Sequence, residues 1–532
     1  MPVIATTVVR ESDEFARNRD AMIERLGVLG DLLAETRMGG GERYVERHRK
    51  RGKLLARERV ELLLDRDSPF LELSPFAAHG TDFAVGASIV TGVGVVEGVE
   101  CAIIANDPTV RGGTSNPYTM RKSRRAMEIA EENRLPLINL VESGGADLPT
   151  QLEIFIPGGE GFRRLTQLSA AGVPTIALVF GNSTAGGAYV PGMCDYTVFV
   201  RERAKVFLGG PPLVKMATGE EADDESLGGA EMHARVSGLA DYMAADEPDA
   251  LRLGREIVSR LNWRKRGPGP AGRADPPLHP EEDLLGIVSS DLKVPFDMRE
   301  VIARIVDGSR YDEFKPLYGT QLTTGWAEIH GFPVGILANV RGILFSQEAQ
   351  KAAQFIQLAN QKDVPLLFVH NTTGFMVGAD YEQGGIIKDG AKMINAVSNS
   401  RVPHLGIIAG GSYGAANYAM SGRAYRPRFL FSWPSAKAAV MGPQQLAGVL
   451  SIVARGAAQA RGVPYDEEAD ATMREAVEGQ IEAQSLALAT SGRVYDDGVI
   501  DPRDTRTVLG MCLSACHSTE VRGADGFGVF RM

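Results

Sequence analysis

The chain has 532 residues, 44% hydrophobic and 23% charged, and a formal net charge of −10. That length exceeds what one hydrophobic core organises, so at least two domains are expected. The composition is that of an ordinary soluble protein, and the negative balance argues against nucleic acid as a main partner. No long uncharged apolar run suggests a membrane span, and the acidic start (Glu11, Asp13, Glu14) has no apolar signal core. Cys101, Cys194, Cys512 and Cys516 form no C-x-x-C pair; only Cys516-His517 are adjacent. The expectation is a reduced, cytoplasmic protein with buried thiols and no metal bound by this chain.

Residues 13–65 read as mostly helical, with Phe15, Met22, Ile23, Leu26, Leu29, Leu32 and Leu33 at three- and four-residue spacing. The basic stretch Arg47–Arg59 follows, read as a solvated helix face, with docking of an anionic group as the alternative. Gly92–Ala105 has the pattern of a hairpin turning at Glu97-Gly98. A helix carrying Ala126, Ile129 and Ala130 comes next, then buried strands at Leu137–Val141 and Thr175–Phe180. The second strand ends in the small-residue turn Gly181–Gly187. The acidic run Glu220–Glu225 reads as an exposed loop. Arg264–Pro280, rich in proline, glycine and charge, reads as a linker, which divides the chain into 1–275 and 276–532. Beyond it the order repeats: Trp326–Ala338, a helix around Phe355–Leu358, Leu366–Val369 and His404–Ala409. After residue 440 the spacing is helical and predicts packing on the second domain or on another subunit.

The repetition is quantitative. Leu135-Pro136-Leu137-Ile138 and Val364-Pro365-Leu366-Leu367 lie 229 residues apart. The same offset pairs Ala185-Gly186-Gly187 with Gly414-Ala415-Ala416, Lys122 with Lys351, and Ser143-Gly144-Gly145 with Thr372-Thr373-Gly374. Upstream the offset is 233, matching Gly98 to Gly331 and Asn106 to Asn339. Strands alternating with helices argue for a layered α/β architecture built from two copies of one domain.

A strand that ends in small residues and leads into a helix presents bare backbone N–H groups, suited to stabilising a developing anion. Its occurrence in both copies favours an oxyanion role over tight packing. Gly410-Gly411-Ser412-Tyr413-Gly414 matches the nucleophile elbow of α/β-hydrolases, but only His517 follows it, and the match reads as chance. Lys122 and Lys351 read as exposed helix lysines. The alternative is that Lys122, within Arg121–Arg125, meets phosphate groups of an anionic substrate.

Taken together, several motifs resemble the carboxyltransferase β subunit of biotin-dependent acyl-CoA carboxylases over nearly the whole length. The early basic segment Arg51-Gly52-Lys53-Leu54-Leu55-Ala56-Arg57-Glu58-Arg59 carries part of the resemblance. In the first copy Gly112-Gly113-Thr114, Glu142-Ser143-Gly144-Gly145-Ala146, Thr184-Ala185-Gly186-Gly187-Ala188-Tyr189 and Leu227-Gly228-Gly229-Ala230 carry more. In the second, Thr373-Gly374-Phe375-Met376-Val377-Gly378, Lys388–Lys392, Tyr413-Gly414-Ala415-Ala416-Asn417-Tyr418 and Trp433-Pro434 complete it.

The resemblance implies two tandem crotonase-like domains (the ClpP/crotonase superfamily) related by internal duplication. The first would bind acyl-CoA and the second biotin, in a homohexamer whose sites lie between subunits. It implies a mechanism without a protein nucleophile: carboxybiotin on a partner's swinging arm releases carbon dioxide. The biotin anion then removes a proton from the acyl-CoA, and the enolate attacks carbon dioxide. By position, the amides of Gly186 and Gly187 would hold the thioester enolate oxygen, and those of Ala415 and Ala416 the biotin ureido oxygen. Gly112, Gly113, Lys122, Ser143, Gly144, Gly145 and Ala185 would line the acyl-CoA side. Thr373, Gly374, Phe375, Gly414 and Tyr418 would line the biotin side.

No Met-Lys-Met biotinylation site and no ATP-grasp segment is found, so a separate biotin carboxylase/biotin carboxyl carrier α subunit is the expected partner. Thr373–Gly378, Asp380-Tyr381-Glu382, Gly384-Gly385 and Asn417-Tyr418 resemble the methylcrotonyl- and geranyl-CoA branch. Ala416, Ser421, Pro443 and Ile156-Pro157-Gly158-Gly159-Glu160 depart from it. The implied substrate is 3-methylcrotonyl-CoA or a related branched enoyl-CoA, with propionyl-, acetyl- or longer saturated acyl-CoA as alternatives. Three other readings stand beside it: the carboxyltransferase chain of a sodium-pumping decarboxylase, a serine hydrolase on Ser412, and a non-catalytic scaffold.

Overall fold

The first of two eight-stranded sheets in the computed structural model, which describes residues 1–272, 274–289, 291–292 and 294–532, is built from β1 (Phe70–Glu72), β2 (Ile89–Val96), β3 (Val99–Asn106), β4 (Leu137–Ser143), β5 (Thr175–Thr184), β6 (Tyr196–Val200), β7 (Lys205–Phe207) and β8 (Tyr242–Ala244). The second holds β9 (Asp312–Glu313), β10 (Leu322–Ile329), β11 (Phe332–Asn339), β12 (Gly342–Leu344), β13 (Leu366–Phe375), β14 (His404–Tyr413), β15 (Phe429–Ser432) and β16 (Lys437–Ala439). In each, a short edge strand (β1 or β9) and an antiparallel hairpin, β2–β3 or β10–β11, lead into parallel strands. The hairpin turns, Glu97-Gly98 and His330-Gly331, have positive φ at both residues, the twist that suits a two-residue connection.

The duplication extends to strand register. β4 and β5 pair in parallel up to Val141, slip, and resume at Ser143 opposite Ser183. β13 and β14 slip between His370 and Thr372, resuming opposite Ser412. In both sheets the long strand then leaves its first neighbour: β5 changes from β6 to β7, and β14 from β15 to β16. The parallel runs Leu137–Leu140 and Leu366–Val369 are buried on both faces, the second continuously apolar and the first interrupted only by Asn139.

One core serves both sheets. Leu71, Val93 and Ile104 from the first share a buried cluster with Val334, Ile336 and Leu367 from the second. Val508, Leu509 and Leu513 of the helix Thr505–Cys516 complete it. Each such leucine contributes roughly 1.5–3 kcal/mol on burial. A buried ion pair also crosses between the sheets' territories: Arg125, on the helix Pro117–Asn133 beside the first sheet, meets Asp497 at 2.6 and 2.8 Å.

The N-terminal segment reaches the far half. Arg10 pairs with Asp283, and Thr6 and Thr7 bond Glu300. Helix Asp13–Arg37 packs on Leu284–Ile287, where the Phe15 ring occupies the space a Cβ on Gly286 would need. Among the described residues, the predicted linker 264–280 carries no helix or strand but is tied at Gly267 to His517 and at Ala271 to Gly331; Arg273 lies outside them. The predicted exposed loop Glu220–Glu225 is one only up to Asp223, which caps the short helix Asp224–Gly228, and Glu225 is half-buried against Lys205.

The basic stretch is only partly a solvated face. Arg47, Arg49 and Lys50 are exposed, whereas Arg59 is fully buried and Arg57 is locked to Glu72 at 2.7 and 2.8 Å. The lysine reading also changes. Lys122 is 1% exposed and donates to the carbonyls of Gly86 and Ile89 at 3.2 and 2.8 Å. Lys351 does the same to Gly319 and Leu322 at 3.3 and 2.8 Å. Neither is an exposed helix lysine: each buried ammonium is taken up by backbone carbonyls. Sequence alone could not show this, because the carbonyls belong to the approach to a different strand.

Burial pushes the Lys122 ammonium down to about 8 from its ordinary 10.5. The folded state therefore holds fewer protons than the unfolded chain between those values, and this group's contribution to stability rises with pH across that window. Lys122→Met should cost roughly 1–3 kcal/mol for each carbonyl left unpaired. In chemical denaturation, its deficit against the natural chain should widen from about pH 8 to 10.5. A rise in acyl-CoA KM at unchanged stability would instead restore the phosphate reading.

Candidate active site

The two small-residue turns have the same backbone design. β5 ends at Thr184 and the chain enters Ala185–Ala188 through a left-handed residue, Ala185 with φ +53°. β14 ends at Tyr413, and Gly414, with φ +56°, opens the helix Gly414–Ala419. Glycine adopts that conformation freely, whereas Ala185 carries roughly 1–2 kcal/mol of strain there. Beyond each left-handed residue, the N–H groups of Gly186 and Gly187, or of Ala415 and Ala416, lie in a first helical turn, where no intrahelical carbonyl reaches them. Gly186 and Ala415 are exposed, while Ala416 is buried beneath its turn.

A second loop backs each turn. Ser143 Oγ donates to the Gly113 carbonyl at 2.7 Å and accepts from the Gly145 amide at 3.1 Å. Gly144 N–H donates to Gly112 at 2.9 Å. Gly145, with φ +91°, lies so close to the turn that a Cβ on it would stand 3.0 Å from the Thr184 carbonyl and 3.7 Å from Ala185 Cβ. In the second sheet Thr372 Oγ1 donates to Gly342 at 3.0 Å and accepts from the Gly374 amide at 3.2 Å, and Thr373 Oγ1 also reaches Gly342. Gly112, Gly113, Ser143, Gly144, Gly145 and Ala185–Gly187 thus form one cluster. Thr373 and Gly374 stand in the matching position beside Gly414–Ala416. Phe375 is half-buried against Gly390, and Tyr418, 46% exposed, stacks on Tyr425. Lys122 does not join the first cluster.

Two groups went unseen in the sequence. Beneath the first turn, Glu142 binds Lys53 and, at 2.8 Å, Arg59, which also holds Glu247 at 2.8 Å. Burial opposes the charge on Glu142, but Arg59 and Lys53 outweigh it and hold the carboxyl below its ordinary range. Gly181 is small because the Glu142 side chain lies over it, and Gly410 because Asn371 does. That shared pair of glycines, 229 residues apart, was the available signal. Beneath the second turn, His370 Nδ1 lies 2.9 Å from Ser412 Oγ, which also accepts from Asn417 Nδ2 at 2.8 Å. A histidine upstream thus meets Ser412, but the hydroxyl is only 1% exposed. The hydrolase reading fails because a nucleophile elbow must present its oxygen to substrate.

Burial drives the Cys194 and Cys516 thiols up to about 12 and Cys101 higher, so none is poised as a nucleophile. His517 Nδ1 is taken up by the Leu513 carbonyl at 2.7 Å. Among the described residues no group of three or more His, Cys, Asp or Glu is placed to hold a metal ion. No helix among them is long and apolar enough to cross a membrane.

Comparison with known proteins gives concordant matches. Residues 47–528 match the model of the carboxyl transferase domain. The chain is 70% identical over 511 residues to a probable biotin-dependent acyl-coenzyme A carboxylase beta2 subunit of Mycobacterium tuberculosis, covering 96% of each. It is 50% identical over 510 residues to the biotin-dependent 3-methylcrotonyl-coenzyme A carboxylase beta1 subunit of the same organism, covering 95% of this chain and 96% of that one. Among solved structures, the beta subunit of geranyl-CoA carboxylase from P. aeruginosa superposes with a TM-score of 0.89 at 44% identity, covering 99% of both chains.

Proposed function

From the premise that this chain belongs to the carboxyl transferase family, as the carboxyltransferase β subunit of a biotin-dependent acyl-CoA carboxylase, we propose that it carboxylates 3-methylcrotonyl-CoA or a related branched enoyl-CoA. The observation that carries the site assignment is the doubled turn: the same left-handed entry and the same pair of first-turn amides, once in each half. Carboxyl transfer needs two oxyanion sites, one for the enolate oxygen of a thioester and one for the ureido oxygen of biotin.

The donor chemistry fits biotin. A neutral urea oxygen that gains negative charge is met by N–H donors, and Ala415 and Ala416 offer two beyond the left-handed Gly414. By position, Thr373 and the exposed Tyr418 ring would flank the approach. When bound, biotin carried by a partner α subunit supplies the carboxyl group and, as its ureido anion, the base. The chain's own part is positional and electrostatic: Gly186 and Gly187 N–H stabilise the enolate oxygen, while Ala415 and Ala416 N–H stabilise the ureido oxygen. Preorganised donors of this kind are each worth about 2.7–4 kcal/mol. Ser143 and Gly145 brace the first turn through the bonds already described.

The substrate class is supported by the relatives above and by an apolar wall beside the first turn. The Phe162 ring approaches Gly186 and packs against Tyr189 with centroids 5.7 Å apart, while Phe155 and Ile156 on the same helix are exposed. Leu152, Ile452 and Val453 leave further apolar surface open, which favours assembly of β chains; a homohexamer is the assembly we expect.

The test is ATP- and bicarbonate-dependent carboxylation by the β chain purified with its biotinylated partner. Acetyl-, propionyl-, 3-methylcrotonyl-, geranyl- and long-chain acyl-CoAs are compared. A kcat/KM at least tenfold higher for 3-methylcrotonyl-CoA is expected, about 1.4 kcal/mol of discrimination. Preference for a saturated acyl-CoA would keep the chemistry and overturn the substrate.

A further inference from the structure

Duplication supplies an internal control: a difference between equivalent positions marks what one site needs and the other does not. At the first turn, Ser183 Oγ donates directly to the Gly187 carbonyl at 2.8 Å, and Val141 and Ala188 are apolar and buried in one cluster. At the second turn, the residues 229 positions on are His370 and Asn417. There Ser412 Oγ accepts from Asn417 Nδ2 at 2.8 Å and lies 2.9 Å from His370 Nδ1. Three polar side chains replace one direct bond, in a place where an apolar pair serves the other copy. Buried polar groups are costly unless satisfied, so the substitution alters what holds the turn.

We propose that His370 is a positioning residue for carboxyl transfer, acting through Ser412 and Asn417 to hold the Ala415 and Ala416 N–H groups in place. The inference rests on the biotin-side role given to those amides above. The chain of bonds links three elements: His370 on β13, Ser412 on β14 and Asn417 within the helix that begins at Gly414. A hydroxyl that accepts from Asn417 has its own proton free for His370 Nδ1, and this requires a neutral ring. His370 is completely buried, and burial pushes it down to about 4, so the ring stays neutral in the working range. The hydroxyl position then follows from both neighbours, and the pitch of the helix follows from the hydroxyl. His370 touches neither substrate nor biotin in this scheme: the side chain is completely buried and its Nδ1 meets Ser412.

The test compares His370→Leu, which removes the acceptor, with His370→Asn, which can place an oxygen where Nδ1 stands. Each is assembled with the biotin-bearing partner. Three quantities are read: kcat for carboxyl transfer, KM for acyl-CoA, and hydrogen exchange at the Ala415–Ala416 amides against that at Gly186–Gly187. His370→Leu should lower kcat roughly ten- to a hundredfold, the scale on which small misplacements act. It should leave acyl-CoA KM within about twofold and speed exchange only at the second turn; His370→Asn should restore most of both. A folded His370→Leu with unchanged kcat overturns the proposal. So does exchange rising equally at both turns, or a loss that His370→Asn does not repair. Should His370→Leu not fold, Ser412→Ala is measured in the same way, and unchanged exchange at Ala415–Ala416 overturns the proposal equally. Absence of carboxyl transfer in the unaltered complex would instead sink the functional reading, while the exchange comparison still decides the role of His370.

Discussion

Gly186→Pro should lower kcat for carboxyl transfer by roughly 10²–10³, while Gly186→Ala should keep most of it. Proline removes the N–H assigned to the enolate oxygen and also disfavours the helical, left-handed geometry of Ala185 before it. Alanine retains the N–H, and its Cβ would meet the Phe162 ring at 3.4 Å, an ordinary contact. The second turn already carries alanine at the equivalent place, Ala415. The comparison therefore separates the effect of an added Cβ from the two effects of proline, of which loss of the donor is the one the mechanism names. Kinetics of the assembled enzyme, with thermal melts of both variants, make the measurement. An alanine variant as inactive as the proline one would show that the N–H is not what the reaction uses.

The largest effect on stability is expected at Asp497. Its carboxylate takes Arg125 Nε and Nη2 and the Leu430 amide, while Arg125 Nη2 also donates to the carbonyls of Pro427 and Arg428 at 3.0 and 2.9 Å. Asp497→Leu takes the bidentate partner from a fully buried guanidinium, leaving it Glu128 at 3.7 Å, and should cost about 3–5 kcal/mol in chemical denaturation. Arg125→Leu combined with Asp497→Leu should recover most of that loss, because the buried guanidinium then goes with its partner and Glu128 keeps Arg164 and Arg423. A double variant no better than Asp497→Leu would mean that the carbonyl contacts, not the ion pair, hold this junction.

The neighbouring Asp496 responds to pH in the opposite sense. Burial opposes charge on Asp497, but Arg125 outweighs it and keeps the carboxyl below its ordinary 3.8. Its contribution is complete above that value and is lost only as pH falls through the depressed one. Asp496 has no such partner; burial lifts it to about 6 against the hydrogen bond from Ser432. Between 3.8 and about 6 the folded state holds its proton more tightly, so its contribution falls as pH rises through that window. Asp496→Asn should therefore gain stability relative to the natural chain near neutrality, with the gain shrinking toward pH 4.

Much of this architecture was legible because the repeats are nearly gapless where they matter. The offset of 229 holds from Gly113 and Gly342 through both turns, so strands, helix and turn could be aligned residue by residue. It becomes 233 upstream because the first copy has four more residues between Asn106 and Gly113. This is the loop where Thr109 Oγ1 accepts from the Gly40 amide at 3.0 Å. Side-chain partnership was not legible. Lys53, Arg59, Glu142 and Glu247 are scattered over nearly two hundred positions, and only folding brings them together beneath one turn. Charge in sequence suggested water around Arg59 and Lys122, but the protein supplies carboxylates and carbonyls instead. His370 escaped notice because the search for a partner to Ser412 followed hydrolase chain order, whereas the contact follows the pairing of β13 with β14.

The shared core has a consequence for how the chain is made. Leu71, Val93 and Ile104 belong to the same buried cluster as Val508, Leu509 and Leu513. During synthesis at about 5–20 residues per second, the first sheet emerges on the order of tens of seconds before the helix that covers part of it. Until residues 505–516 have left the ribosome, that core lacks its last helix and is open to chaperones or to a neighbouring nascent chain. Duplication gave the molecule two similar sheets, but their common core ties completion of the first to the end of translation.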